Sequence, residues 1–171
     1  MSDVLIADAL VARGAAPKSL RDLEVTPNGA VIAPGGSVAL AWELYDLSAD
    51  KDGVTRWNVT LSREDGRLVQ LGDVRSVIVG SPGANAQVQA NEPGASLIRY
   101  SRSERAQPKV VEMLRFGMPN IPPGRHVLVL RVEDLVSKRV TERSVSLRVL
   151  NPGEQARKDG WRYPSQRGTM N

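Results

Sequence analysis

From Val38 to Trp57 the chain reads VALAWELYDLSADKDGVTRW, and this stretch limits the fold more than any other. Val38, Leu40, Trp42 and Leu44 alternate with Ala39, Ala41, Glu43 and Tyr45, a period of two that places the first set on one face of a strand. Asp52-Gly53 supplies the positive-φ dipeptide of a tight reversal, after which Trp57, Val59 and Leu61 resume the alternation. The pattern predicts a β-hairpin with Trp42 as the central core aromatic.

The same rhythm runs along most of the chain. Val25–Gly29 reads as a turn, Ala30–Ala33 as a short strand and Pro34-Gly35-Gly36 as the next turn. Candidate strands Arg67–Leu71, Val74–Val79, Ala86–Ala90 and Ser96–Tyr100 surround the small-residue loop Gly80–Asn85, and Ser101–Pro108 reads as an exposed polar loop. Lys109–Phe116 carries Val111 and Met113 on one face and Val110, Leu114 and Phe116 on the other. Ile121-Pro122-Pro123-Gly124 is a rigid turn into Arg125–Asp134, so apolar that both its faces are expected to be covered, and Thr141–Leu150 returns with Val145, Leu147 and Val149 inward. Strands at intervals of about ten residues, joined by Pro/Gly turns, predict an all-β, immunoglobulin-like antiparallel β-sandwich over residues 23–150.

Two extended arms are expected to flank it. In Ser2–Arg13 the apolar residues Val4, Leu5, Ala7, Leu10 and Val11 suit a short amphipathic helix or an extended segment, which makes residues 1–22 an N-terminal arm with Val4, Leu5 and Leu10 as anchors. Residues 151–171 lose the alternation and form a tail in which Trp161, Arg162, Tyr163 and Arg167 are the natural partner-binding groups. The longest apolar run near the start, Val4–Ala12, is interrupted by Asp8 and is far short of a membrane span.

Charge is unevenly divided. Residues 1–98 hold 8 Lys/Arg against 12 Asp/Glu, whereas residues 99–171 hold 15 against 7. A basic C-terminal half suits an acidic protein surface or anionic lipid headgroups, or is simply a solvated basic face. It suits nucleic acid poorly, because the basic residues sit singly in strands and only Tyr100, Phe116, Trp161 and Tyr163 are there to stack. The absence of cysteine removes disulfides, thiolate metal sites and cysteine nucleophiles together.

No reaction centre assembles from what remains. His126 is the single histidine, too few for a histidine metal site, and reads as a surface or edge-strand residue. Asp50-Lys51-Asp52-Gly53 looks like the middle of a calcium loop, yet counting Ser48 as the first ligand puts Val59 where the bidentate glutamate belongs. Gly80–Asn85 lacks the Lys-Ser/Thr of a phosphate loop, and Asn58-Val59-Thr60 matches a glycosylation sequon inside a strand. Glu133-Asp134 is placed to pair with Lys138-Arg139 across a turn. The reading is of a non-enzyme with no cofactor and no metal.

Three passages carry a resemblance to a known family: SDVLIAD at Ser2–Asp8, APGGSVALAWELYDLSADKDGVTRW at Ala33–Trp57, and IPPGRHVLVLRVEDLVSKRVTERSVSLRV at Ile121–Val149. Together they resemble the C-terminal β-sandwich region of bacterial GWxTD-domain proteins. The GWxTD sequence itself is missing, and Gly160-Trp161 shares only its first two letters. The resemblance implies a longer, exported chain, hence a periplasmic or membrane-peripheral location. The expected function is a non-catalytic accessory subunit that docks its sandwich and two arms onto other protein subunits of a larger, membrane-associated complex. A photosynthetic reaction-centre and antenna complex is one such setting, though no residue specifies it. The alternative is a carbohydrate- or ligand-binding sandwich in which Trp42, Tyr45 and Trp57 form an aromatic platform.

Overall fold

The computed structural model describes residues 1–14, 17–64, 78–79, 98–118 and 121–154. The strands are β1 (Leu5–Ala12), β2 (Leu23–Pro27), β3 (Val31–Ile32), β4 (Ser37–Tyr45), β5 (Val54–Arg63), β6 (Ile78–Val79), β7 (Ile98–Arg105), β8 (Lys109–Gly117), β9 (Gly124–Asp134) and β10 (Val140–Val149). They form two five-stranded sheets, β2-β1-β4-β8-β6 and β3-β10-β9-β5-β7. The chain is an all-β sandwich, as its alternation predicts.

Val38–Trp57 is not a hairpin, however. β4 pairs with β1 and β8 in the first sheet, whereas β5 pairs with β7 and β9 in the second. The Asp52-Gly53 reversal does form, with Gly53 at φ +72°, but it closes on an isolated bridge between Ala49 and Thr55. Residues 46–48 carry the chain from one sheet to the other. In a hairpin the two bulky sets would lie side by side on one face. Crossing instead sets Val38, Leu40, Trp42 and Leu44 opposite Trp57, Val59 and Leu61, where they fill one core with Tyr100, Leu114, Phe116, Leu128, Leu130, Val145 and Leu147.

The segment expected as an N-terminal arm supplies β1, which is part of the sandwich. Of the two readings of this segment the extended one holds: Leu5, Ile6 and Ala7 pair with Ala41, Leu40 and Ala39. A register slip between Ala7 and Ala9 then hands the strand to β2, where Leu10 faces Val25 and Ala12 faces Leu23. In a flat strand Ala12 would stand about 23 Å from Leu5. Yet Leu23 is buried with Ala41 and Val111 in a second, smaller core against which Leu5, Leu10, Ala12, Leu20, Val25 and Met113 pack. The β1–β2 hairpin is therefore bent back over the outer face of β4 and β8. Small residues permit the approach, since Ala39 and Ala41 are fully covered.

Three further expectations change. Ser101–Pro108 is largely strand, as β7 runs to Arg105 with Ile98, Tyr100 and Arg102 buried. Only one face of β9 is buried, at His126, Leu128, Leu130, Val132 and Asp134, while Arg125 and Arg131 face out. β2 occupies most of the expected Val25–Gly29 turn, and the reversal falls on Gly29 and Ala30, both at φ near +60°. Lys18–Leu23 contains a short 3₁₀ helix, Leu20–Asp22, closed by a Ser19/Asp22 capping box. The last hairpin follows its expected course, with β9 and β10 in register from Val140 opposite Glu133 to Val149 opposite Gly124. Among the described residues no helix is long and apolar enough to cross a membrane. Arg67–Leu71 and Ala86–Ala90, and Gly80–Asn85 with them, lie outside the described residues.

Candidate functional site

Alternation on β7 and β8 turns two charged residues inward. Arg102 and Glu112 both have fully buried side chains. Glu112 Oε1 accepts from Trp57 Nε1 at 3.0 Å and Oε2 accepts from Tyr100 Oη at 3.2 Å. Arg102 Nε lies 3.6 Å from Glu112 Oε1, too far for a hydrogen bond, and Arg102 Nη2 donates to Glu104 at 2.7 Å. Burial pushes the Glu112 carboxyl up to about 7, because nearby Arg102 and the Tyr100 and Trp57 hydrogen bonds only partly offset the loss of water. Tyr100 is raised well above its ordinary value, first by burial and then by the Glu112 charge.

Glu43 sits on the opposite face of the same sheet, at the seam between β4 and the folded-back hairpin. Its Oε1 accepts from the Leu20 amide at 2.9 Å and from Lys109 Nζ at 3.1 Å, and its Oε2 accepts from the Tyr45 hydroxyl. Burial alone would raise this carboxyl. The hydrogen bonds from Tyr45, Leu20, Lys109 and Ser19 outweigh it and hold the group at about 2. The Glu43 backbone is tied as well, its amide donating to Ser2 Oγ and its carbonyl accepting from the Ser2 amide, both at 2.9 Å.

The third carboxylate, Asp134, is expected to pair with Lys138 or Arg139 and instead caps backbone. It accepts from the amides of Ser48 at 2.8 Å, Val136 at 2.9 Å and Ser137 at 3.1 Å, which closes the β9–β10 turn and pins the crossover between the sheets. Those bonds overcome its desolvation and lower it to about 2. Asp134 also borders a cavity of about 400 Å³ at the end of the sandwich, floored by Leu44, Leu47 and Val132 and rimmed by Tyr45 and Arg139.

The residues singled out by sequence are dispersed. Val4 packs on the main core and Leu5 and Leu10 on the second one, so these three are engaged within the fold. Trp161, Arg162, Tyr163 and Arg167 lie outside the described residues. Trp42 and Trp57 are sealed in the core while Tyr45 is 42% exposed, so the three form no common aromatic platform. His126 is buried on β9, between β5 and β10, and donates from Nε2 to the Pro122 carbonyl at 2.7 Å, which corrects its reading as a surface or edge residue. Asp50 accepts from the amides of Asp52 and Val54 and meets Arg56 at 2.7 Å, a turn-closing role. Asn58 Oδ1 accepts from Ser101 Oγ across the β5–β7 ladder. Among the described residues no group of three metal-ligating side chains converges.

The Arg102–Glu112 pair is what sequence reasoning missed. Glu112 interrupts the apolar set Val110, Leu114 and Phe116 at the inward period, so its burial is readable; Arg102 is not, because its strand reads as a polar loop.

No family model and no curated protein matches the chain. Among solved structures, a family 123 glycoside hydrolase from Clostridium perfringens aligns at 12% identity with a TM-score of 0.45. The alignment covers 88% of this chain and 27% of that one. A likeness at this level carries no argument about activity.

Proposed function

We propose that the protein is a non-catalytic interaction module, a β-sandwich that docks onto other subunits of a larger, membrane-associated assembly. The observation that supports this is the use of its perturbed carboxylates. Glu43, Glu112 and Asp134 are the carboxylates whose titration the fold shifts most, and each has both oxygens hydrogen-bonded, at least one of them to a group on another element. Perturbed groups of that kind mark structural junctions as readily as reaction centres. With Val4, Leu5 and Leu10 absorbed into the two cores, docking onto other subunits falls to the basic, aromatic segment 151–171.

The ligand-binding alternative loses its principal support, because the tryptophans it requires lie between the sheets. The test compares the full chain with one lacking residues 155–171, a cut that leaves the Glu154–Arg148 ion pair in place. Both are expressed in the native host and scored for retention in the purified complex. Loss of retention with an unchanged circular dichroism spectrum is expected; equal retention would falsify the tail as an anchor.

A further inference from the structure

We infer that the outward face of the β3-β10-β9-β5-β7 sheet is built to lie against the anionic headgroups of a phospholipid surface. The inference rests on the membrane-associated part of the proposed function and is independent of the tail.

The alternation that buries one side of each strand leaves Arg56, Arg99, Arg105, Arg125, Arg131 and Arg148 exposed on the other. Between them the outward positions are mostly serine, threonine, asparagine and valine, with Glu133 and Glu142 as the two carboxylates. Arg125 stands directly opposite Arg148 in the β9–β10 ladder. Like charges in that relation destabilise a sheet, so packing gives no reason for the pair. Arg131 and Arg99 are both in register with Thr60, one on each side of it, which puts their strands about 10 Å apart. Arg148, Arg131 and Arg56 are each held by a carboxylate, from Glu154, Glu142 and Asp50. Among the described residues Arg99, Arg105 and Arg125 have no acidic partner.

The chemistry of this face selects its occupant. A guanidinium presents a planar fork of donors that matches two phosphate oxygens at once, and serine and threonine hydroxyls add single donors beside it. Among the described residues no aromatic ring points outward from these four long strands, so sugar rings and bases have nothing to stack on. A protein partner would need an apolar, aromatic patch centre that is missing here. Separated cations on a broad sheet face suit a surface of many phosphates better than one bound anion.

The experiment measures binding of the full chain to phosphatidylcholine vesicles with and without phosphatidylglycerol. Binding is expected only with the anionic lipid and is expected to weaken with salt. Each arginine near such a surface is worth about fivefold, so the triple variant Arg99→Ser/Arg105→Ser/Arg125→Ser loses on the order of 100-fold. The control Arg13→Ser/Arg21→Ser/Arg115→Ser removes the same charge from exposed positions of the other sheet and its 3₁₀ helix, and retains binding to within a few fold. Undiminished binding by the first variant, an equal loss in the control, or tighter binding to a soluble sulfated polysaccharide than to the vesicles overturns the inference. Retention in the complex is read on a different variant and a different partner, so either proposal can fail without the other.

Discussion

Glu43 and Glu112 stand on adjacent strands of one sheet, a single residue apart in register, and the fold drives them in opposite directions. Glu112 points between the sheets and is held up at about 7; Glu43 points outward under the hairpin and is held down at about 2. Both are desolvated. The difference lies in the donors: Glu43 receives an ammonium, a backbone amide and a hydroxyl, whereas Glu112 receives two neutral aromatic donors with its cation just out of hydrogen-bond range. Burial sets the cost of the charge, and donor number decides whether it is met.

Breaking the inner cluster has the largest effect. Glu112→Ala leaves buried Arg102 with Glu104 as its remaining counter-charge and strands the Trp57 and Tyr100 donors, so urea melts are expected to show a loss of about 3–5 kcal/mol. The double variant Arg102→Met/Glu112→Leu recovers the part due to the buried charge, since a buried ion pair adds little over apolar side chains of like volume, while the Trp57 and Tyr100 donors stay unpaired. A double loss as large as the sum of the two single losses would show that the residues do not act as a pair.

The pH profile separates the two glutamates. Glu112 binds its proton more tightly in the folded chain than the ordinary 4.5 allows, so its contribution to stability declines as pH rises from 4.5 through about 7, by roughly 3 kcal/mol at most. Glu43 binds its proton less tightly, so its contribution is complete above 4.5 and is lost as pH falls toward 2. Urea midpoints collected across that range should rise and then fall. Glu112→Gln should flatten the descending limb alone.

Smaller effects test the outer seam. Glu43→Ala is expected to cost about 1–2 kcal/mol, with faster hydrogen exchange at the Leu20 amide while the strands of the second sheet stay protected. The smallest change is Tyr45→Phe, which removes one donor from Glu43. Its carboxyl then rises from about 2 toward its ordinary value, which carbon NMR titration reads directly, and an unmoved titration would show that Leu20 and Lys109 suffice.

Much of this molecule was legible in its residues. Period-two alternation located β4, β5, β8, β9 and β10, placed Trp42 in the core, and named the sandwich. Where legibility failed, the reason was usually a polar residue on a buried face. β7 reads as a loop because Arg102 and Glu104 occupy positions that apolar residues hold elsewhere, and the second partner of Arg102, Glu112, lies on a strand of the facing sheet. His126 reads as exposed for the same reason, although the Pro122 carbonyl satisfies it. The N-terminal segment failed differently, because its alternation serves two sheet neighbours in succession and changes phase at the bulge.

The amino-acid pattern by itself determines that this chain is a β-sandwich, which faces of β4, β5 and β10 are buried, and that Asp52-Gly53 reverses the chain, because those properties depend on residues close in sequence. Strand partnership is another matter. Alternation is identical for a hairpin and for two strands that face each other across a core, so Trp42 and Trp57 would be buried in either case. Packing chose the crossover, folded the N-terminal hairpin over β4 and β8, and shifted two neighbouring glutamates in opposite directions, since each of these turns on contacts between residues far apart in the chain.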